Sequence, residues 1–310
     1  MKLLVTGSSG LVGSALNGDI IRVTSKDADL RDYDQTYDML KRSMPFDGIV
    51  HVAANVGGLF KNMRWPVEMY EDNIRMNMNV LRAAHALGIR RVVCFLSTCI
   101  FPDAPPSYPV TPEMLHDGPP HPSNEGYAYA KRMTEVLCRL YQKQYGREYF
   151  CVVPTNIYGP EDNFNLDDAH VIPALIHKCW IAKRDGKPFV IAGDGTPVRQ
   201  FIFSEDVARL TLWAAEHYKD ISRPMMLCPP NSEVPLSHVV NLIVQAFDFS
   251  GPVVYDTSLP NGQMKKTAEC TVTDLEFTPL DEGLKKTIEW FINESRSRDW
   301  SCRSGRLVSL

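Results

Sequence analysis

The chain has 310 residues, a formal net charge of -4, and 44% hydrophobic against 23% charged side chains. This balance fits a water-soluble globular protein of one large or two modest domains, without the basic field that nucleic acid or an anionic membrane surface requires. A small soluble ligand is the expected partner, with no nucleic acid and no membrane. The eight cysteines, at 94, 99, 138, 151, 179, 228, 270 and 302, include no C-x-x-C pair. Neither a metal centre nor a disulfide framework is therefore expected. Met1 leads directly into an apolar strand-like run, and no apolar stretch approaches the roughly 18 residues of a membrane span. The expected compartment is the cytoplasm.

In chain order, strand-like runs at 2–6, 20–24, 49–52, 92–96 and 149–153 alternate with helical patterns at 33–43, 68–87 and 126–146. Such alternation predicts parallel βαβ units in a doubly wound α/β sheet covered on both faces. After Pro154 the rhythm loosens. Short strands at 189–191, 200–203 and 252–255 mix with helices at 170–184, 204–218, 236–247 and 281–293. The expected division is a first domain over 1–155 and a smaller α/β lobe over 156–294, with some segments returning to the first. The polar stretch 295–310 is expected to fray.

The segment "VTGSSGLVGS" holds the first chemical signal. Gly7, Gly10 and Gly13 follow a strand and open a helix, a spacing that lets backbone amides approach a pyrophosphate. The turn Gly7-Ser8-Ser9-Gly10-Leu11-Val12-Gly13 is thus a candidate dinucleotide cradle in a Rossmann-type domain. At the end of the second strand an NAD site usually carries an acidic residue, but this chain has Thr24-Ser25-Lys26. Hydroxyls and the Lys26 cation suit a 2′-phosphate, hence NADP. Only six residues separate Gly13 from Ile20, few for a crossover helix. The first βαβ unit is expected to be shortened.

The second signal is "GYAYAKR". Tyr127 and Lys131 stand four apart and share a helical face, so the ammonium is expected to lower the phenol's pKa and prepare it for proton transfer to a carbonyl. Tyr129 faces elsewhere and reads as packing. Ser97, Thr98 and Cys99 follow the fourth strand, where open parallel sheets bind ligands. Ser97 can donate to the same carbonyl oxygen as Tyr127.

The glycine turn, the post-strand serine and the Tyr127/Lys131 pair together resemble the extended short-chain dehydrogenase/reductase family, whose members bind nucleotide sugars. "AANVGGLFKN", "STCIFP", "PTNIYGPEDNFN", "HVIPALIHK" and "VRQFIFSEDVA" further resemble its branch of 3,5-epimerase-4-reductases, which take GDP-4-keto-6-deoxy-D-mannose to GDP-L-fucose. The similarity runs from Met1 to about Phe291, and its most specific part is Cys99 with His170. A C4 ketone acidifies the C3 and C5 protons, so inversion needs one group to take a proton and another to return one on the opposite face. The resemblance implies that Cys99 and His170 do this, while Ser97 and Tyr127 hold the C4 oxygen and, with Lys131, later serve its reduction by NADPH. It also implies that Pro154, Thr155, Asn156, Ile157 and His170 wall the cofactor. Asn165, Lys178, Arg199 and Asn261 would contact the GDP-sugar, and two chains would form a homodimer. Asn73 matches an asparagine that braces the site in the wider family. Ala192 and Asn261 depart from the bacterial pattern, which has tryptophan and aspartate there, and "AECTVTDLEFTPL" is short. The other histidines, at 51, 85, 116, 121, 177, 217 and 238, receive no catalytic role.

Two alternatives remain open at this point. One is another nucleotide-sugar epimerase, dehydratase or reductase on the same fold, although dehydratases carry Thr-Asp or Thr-Glu where this chain has Thr98-Cys99. The other is a folded, nucleotide-binding but catalytically impaired protein, left by the short first helix and the trimmed C-terminal lobe.

Overall fold

The computed structural model describes residues 1–259, 261–271 and 275–295. The chain begins β1 (Leu3–Thr6), α1 (Leu11–Ala15), β2 (Ile20–Val23), α2 (Tyr33–Ser43), β3 (Gly48–His51), α3 (Leu59–Arg64), α4 (Pro66–Ala86), β4 (Arg91–Phe95), α5 (Glu125–Tyr145) and β5 (Glu148–Pro154). It continues with β6 (Asn156–Tyr158), α6 (Val171–Asp185), β7 (Phe189–Ala192), β8 (Val198–Arg199), β9 (Phe201–Phe203), α7 (Ser204–His217) and β10 (Met225–Leu227). The last elements are β11 (Val234–Pro235), α8 (Leu236–Ala246), β12 (Val253–Asp256), β13 (Lys265–Lys266) and α9 (Leu280–Glu294).

The main sheet runs β2-β1-β3-β4-β5-β10, every pair parallel. Side chains alternate across it, as strand geometry demands. Leu4, Ile49, Val92 and Val153 join one core with residues of α2, α4 and α5, while Leu3, Val5, Val50, Val93 and Val152 join another with α1 and α7. Winding reverses between β1 and β3, because β2 lies on one side of β1 and all later strands lie on the other. In such sheets ligands bind outside the strands' carboxyl ends at this reversal.

Two features of this sheet bear on the sequence pattern. The segment 204–227, sequentially in the second lobe, returns to the first: α7 covers one sheet face and β10 extends the edge by pairing Met226 with Val153. Three residues between Pro224 and Cys228 are too few to show periodicity, so pairing with β5 makes β10 a strand. The β1–β2 connection is indeed short, and α1 is a stub of five residues. Arg22 stabilises it from β2, donating Nη1 to Gly13 O at 2.9 Å and Nη2 to Leu16 O at 2.5 Å. A cation thus serves carbonyls left open at a helix C-terminus.

The second lobe has its own core, in which Phe164, Ile172, Ile176, Phe189, Phe203, Val240 and Phe291 join α6, β7, β9, α8 and α9. It is attached through β6, which leaves β5 at Thr155 and pairs with β9. The expected tail lies, from residue 296 onward, outside the described residues, as do residues 272–274 of the shortened C-terminal segment. Among the described residues no helix is long and apolar enough to cross a membrane. No group of three or more His, Cys, Asp or Glu among them could hold a metal ion, and Cys94, Cys99, Cys138, Cys151, Cys179 and Cys228 form no disulfide.

Candidate active site

The glycine turn stands at the winding reversal. Gly7 has φ +69°, and a Cβ there would lie 2.7 Å from the backbone of Ala53, just beyond β3. A Cβ on Gly13 would lie 2.2 Å from Gly7 O, so helix and turn could not pack together. Gly10 differs: a Cβ would meet only Gly7 O, at 3.6 Å, and the residue is exposed. Tight turn, open approach and close helix packing are the three tasks of glycines at a dinucleotide pyrophosphate, so these residues fit NADP. Exposed Ser9 and the first-turn amides of Leu11, Val12 and Gly13 are the available donors. Ser8 is not among them, since both its amide and hydroxyl donate to Val23 O at 3.1 Å, tying the turn to β2. Lys26 is exposed in the turn after β2, held by Thr24 and Asp27. Thr155 Oγ1 is buried without a partner among the described residues, beside Asn156, whose Nδ2 donates to Gln200 O at 2.8 Å. Pro154 ends β5, and Ile157 packs against the α7-side core.

Ser97 and Cys99 lie in a tight turn rather than on the strand itself. The β4 ladder ends at Phe95, Ser97 is extended, and Thr98–Ile100 forms one turn of 3₁₀-helix whose Cys99 amide donates to Ser97 Oγ at 3.4 Å. Two adjacent residues of α5 clamp both ends of this turn. Lys131 Nζ donates to Phe95 O at 2.8 Å and Arg132 Nε to Ile100 O at 2.5 Å. Tyr127, one helical turn before Lys131, is half-buried, and the ammonium lies 5.7 Å from its ring centroid.

The electrostatics correct one expectation. Tyr127 is not depressed by Lys131: burial, and secondarily the neighbouring Cys99, push its pKa above the usual phenol value. Burial also lowers Lys131 to about 8, partly offset by Cys94, Cys99 and Cys151. The lysine's hydrogen bond goes to Phe95 O, so desolvation dominates both groups. The consequence is a phenol that keeps its proton.

His170 caps the start of α6 and is exposed at the rim. Its segment is pinned over the same sheet edge, because Gly58 N, in the loop after β3, donates to Asp168 O at 2.8 Å. Although the residue keeps solvent contact, the protein atoms packed around the imidazole desolvate it and, with Lys266 second, hold it below its usual range, Asp168 opposing and Lys61 adding to the effect. Lys266 also senses Cys99 and Arg199, and desolvation lowers its own pKa. It is the register partner of Arg199 across β13 and β8, so the two cations stand side by side on one face. Arg199 donates to Val198 O and Gln263 O, and among the described residues neither cation has a carboxylate within ion-pair distance. Backbone hydrogen bonds of Val110 with Thr267 and Glu269 tie this strand to the loop that follows Cys99.

Other expected residues stand apart from this group. Lys178 is two turns beyond His170 on α6, about 12 Å along the axis. Asn165 is buried and folds its own loop, with Oδ1 accepting from Asp167 N at 3.1 Å. Asn261 Oδ1 accepts from Asp194 N at 2.9 Å and closes a neighbouring turn, and Ala192 is exposed at the end of β7. Asn73, fully buried, holds the loop after β3 by bonds to both the amide and carbonyl of Asn55. Sequence reasoning missed Lys266 and Arg132. The doublet Lys265-Lys266 carried a signal of charge alone, which in a polar loop is no different from solvated surface.

Residues 3–227 match the model of the NAD dependent epimerase/dehydratase family, and the chain belongs to that family. The match ends at β10, where the main sheet ends. A curated relative from Dictyostelium discoideum, named GDP-L-fucose synthase, is 42% identical over 94% of this chain and 95% of its own length. One from Drosophila melanogaster, named probable GDP-L-fucose synthase, is 41% identical over 94% and 97%. A crystal structure of a GDP-L-fucose synthetase from Naegleria fowleri bound to NADP covers 95% of this chain and 93% of its own, at 40% identity and TM-score 0.88. Within the family, this chain falls in the GDP-L-fucose synthase branch.

Proposed function

We propose that this cleft carries out two epimerisations of GDP-4-keto-6-deoxy-D-mannose, at C3 and C5, followed by NADPH-dependent reduction at C4 to GDP-L-fucose. NADPH, when bound, supplies the hydride for C4. The glycine turn with Ser9 and Lys26, and the wall Pro154 to Ile157 with the buried Thr155 hydroxyl, would hold it. Arg199 and Lys266, adjacent and without carboxylate partners among the described residues, suit the diphosphate of the sugar nucleotide. Ser97 and Tyr127 donate hydrogen bonds to the C4 oxygen, stabilising the enolate during inversion as an oxyanion site does. Because burial keeps Tyr127 protonated, the phenol is loaded to deliver its proton when the ketone is reduced. Lys131 holds Phe95 O and so fixes the Ser97 turn. His170, neutral near pH 7, and the Cys99 thiol flank the ring, one taking and one returning a proton at each inverted carbon.

The observation that carries this reading is Lys266, which stands in register with Arg199 and lines one cavity with Thr98 of the Cys99 turn. It supports reading thiol, imidazole and anion site as parts of one cleft. A homodimer is inferred through α4 and α5, which pack on one another and leave Met78, Met133 and Leu140 exposed. The free thiols of Cys94, Cys99, Cys138, Cys151, Cys179 and Cys228 support a reducing, cytoplasmic setting. The test is to incubate the protein with GDP-4-keto-6-deoxy-D-mannose and NADPH and identify the sugar formed, GDP-L-fucose being expected. A different reduced sugar would indicate another nucleotide-sugar reductase, and no saturable NADPH binding would indicate an impaired protein.

A further inference from the structure

Beneath the cleft, buried polar side chains cross the core from the end of β1 to α5. Thr6 Oγ1 lies 2.7 Å from His51 Nδ1, His51 Nε2 lies 3.0 Å from Asn77 Oδ1, and Asn77 Nδ2 donates to Thr134 Oγ1 at 2.6 Å. Thr134 Oγ1 in turn donates to Ala130 O at 3.1 Å, while Thr6 Oγ1 accepts from Ala53 N at 3.4 Å. None of the four side-chain residues is more than 2% exposed. The chain has only one consistent direction. Asn77 Oδ1 can only accept, so His51 carries its proton on Nε2, and Nδ1 accepts the Thr6 hydroxyl proton. Burial first, and nearby Lys131 second, hold the imidazole pKa down to about 3, so this neutral tautomer persists across the working range.

The ends of the chain matter. Thr6 immediately precedes Gly7 of the nucleotide turn, and Ala130 immediately precedes Lys131, one turn beyond Tyr127. The β1–β3–β4 ladder and the Lys131 bond to Phe95 O also connect these parts, but α5 otherwise lies on the sheet through apolar contacts, which are non-directional and permit small slips. Hydrogen bonds are directional, and a buried one left unmade is costly, so the chain permits one register.

We propose that His51 is a positioning residue for the ketone reduction, setting through Asn77 and Thr134 the placement of the Tyr127/Lys131 turn relative to the glycine turn. This rests on the reading of the cleft as the NADPH and keto-sugar site. The test compares wild type with His51→Leu, His51→Gln, Thr134→Val and the Leu/Val double variant, measuring kcat and KM separately and urea midpoints in parallel. Expected is a fall in kcat of about 10- to 100-fold for His51→Leu with sugar KM changed less than about threefold, since misplacement by an ångström costs rate rather than uniform binding. His51→Gln can accept from Thr6 and donate to Asn77, and is expected to restore most of the rate. Thr134→Val interrupts the chain at its far end, serves if His51→Leu does not fold, and should add little to it in the double variant. An active wild type whose kcat is unaltered in His51→Leu and Thr134→Val overturns this proposal alone. So do losses that multiply in the double variant, or a His51→Gln no better than His51→Leu. An inactive wild type overturns the functional reading and this proposal together.

Discussion

Removing the buried ammonium should make the protein more stable and abolish its reduction. Lys131 is 2% exposed, and its nitrogen meets one backbone carbonyl, Phe95 O at 2.8 Å. Burial lowers its pKa from 10.5 to about 8. At 1.36 kcal/mol per pH unit, keeping the charge at pH 7 costs about 3 kcal/mol relative to the unfolded chain. Methionine has similar length and no charge, and Lys131→Met forfeits about 1 kcal/mol for the lost hydrogen bond. The net expectation at pH 7 is a gain of about 2 kcal/mol. The sign with pH follows from proton counts. Between about 8 and 10.5 the unfolded lysine holds a proton that the folded one has lost, so wild-type stability rises with pH through that window and its deficit against the variant closes. Urea unfolding of both proteins at pH 7 and pH 10, with turnover measured alongside, checks this. A Lys131→Met protein less stable than wild type at pH 7, or a gap that does not narrow by pH 10, would refute the claim that desolvation dominates at this lysine.

Cys99→Ser should lose deuterium exchange at C3 and C5 by about 100-fold or more while retaining measurable ketone reduction; equal loss of both would remove the thiol's separate role. Arg199→Met and Lys266→Met should each raise the KM for the sugar nucleotide by about 10- to 100-fold with kcat nearly unchanged, and an unaltered KM would place the diphosphate elsewhere. Because His170 is held below its usual range, the exchange rate should stay level as pH falls from 7 to 6, when followed by NMR in deuterated buffer. A decline centred near 6.5 would contradict that. Arg22→Met should lower stability by about 1–2 kcal/mol and weaken NADPH binding, read by nicotinamide fluorescence, since the carbonyls of Gly13 and Leu16 lose their donor. Unchanged affinity would mean that the stub helix does not depend on its clamp.

Much of the fold was legible because its signals are local. Apolar runs at β1, β3, β4 and β5 and the periodic faces of α2, α4 and α5 each declare themselves within a dozen residues, and boundaries differ by one or two positions. The strand β10 was not legible, since Met225–Leu227 is a strand only by virtue of β5 beside it. Ser97, Cys99, Tyr127 and Lys131 could be singled out by chemistry and spacing, yet the clamp of the 95–100 turn by Lys131 and Arg132 joins residues more than thirty apart. Asn165 and Asn261 illustrate the converse: amide oxygens suited to a ligand accept from backbone amides, Asn165 within its own loop and Asn261 in a neighbouring turn.

By itself the sequence determined the glycine turn, the helical pairing of Tyr127 with Lys131, the alternation that makes a parallel sheet and the residue types able to move protons. Each of these depends on neighbours along the chain. Only the tertiary structure decided that Lys266 stands beside Arg199 and within reach of Cys99 and His170, that His51 links the glycine turn to α5, and that Tyr127 is raised rather than lowered. Burial and Coulomb energies depend on distances through a low-dielectric interior, and folding sets those distances between residues far apart in sequence.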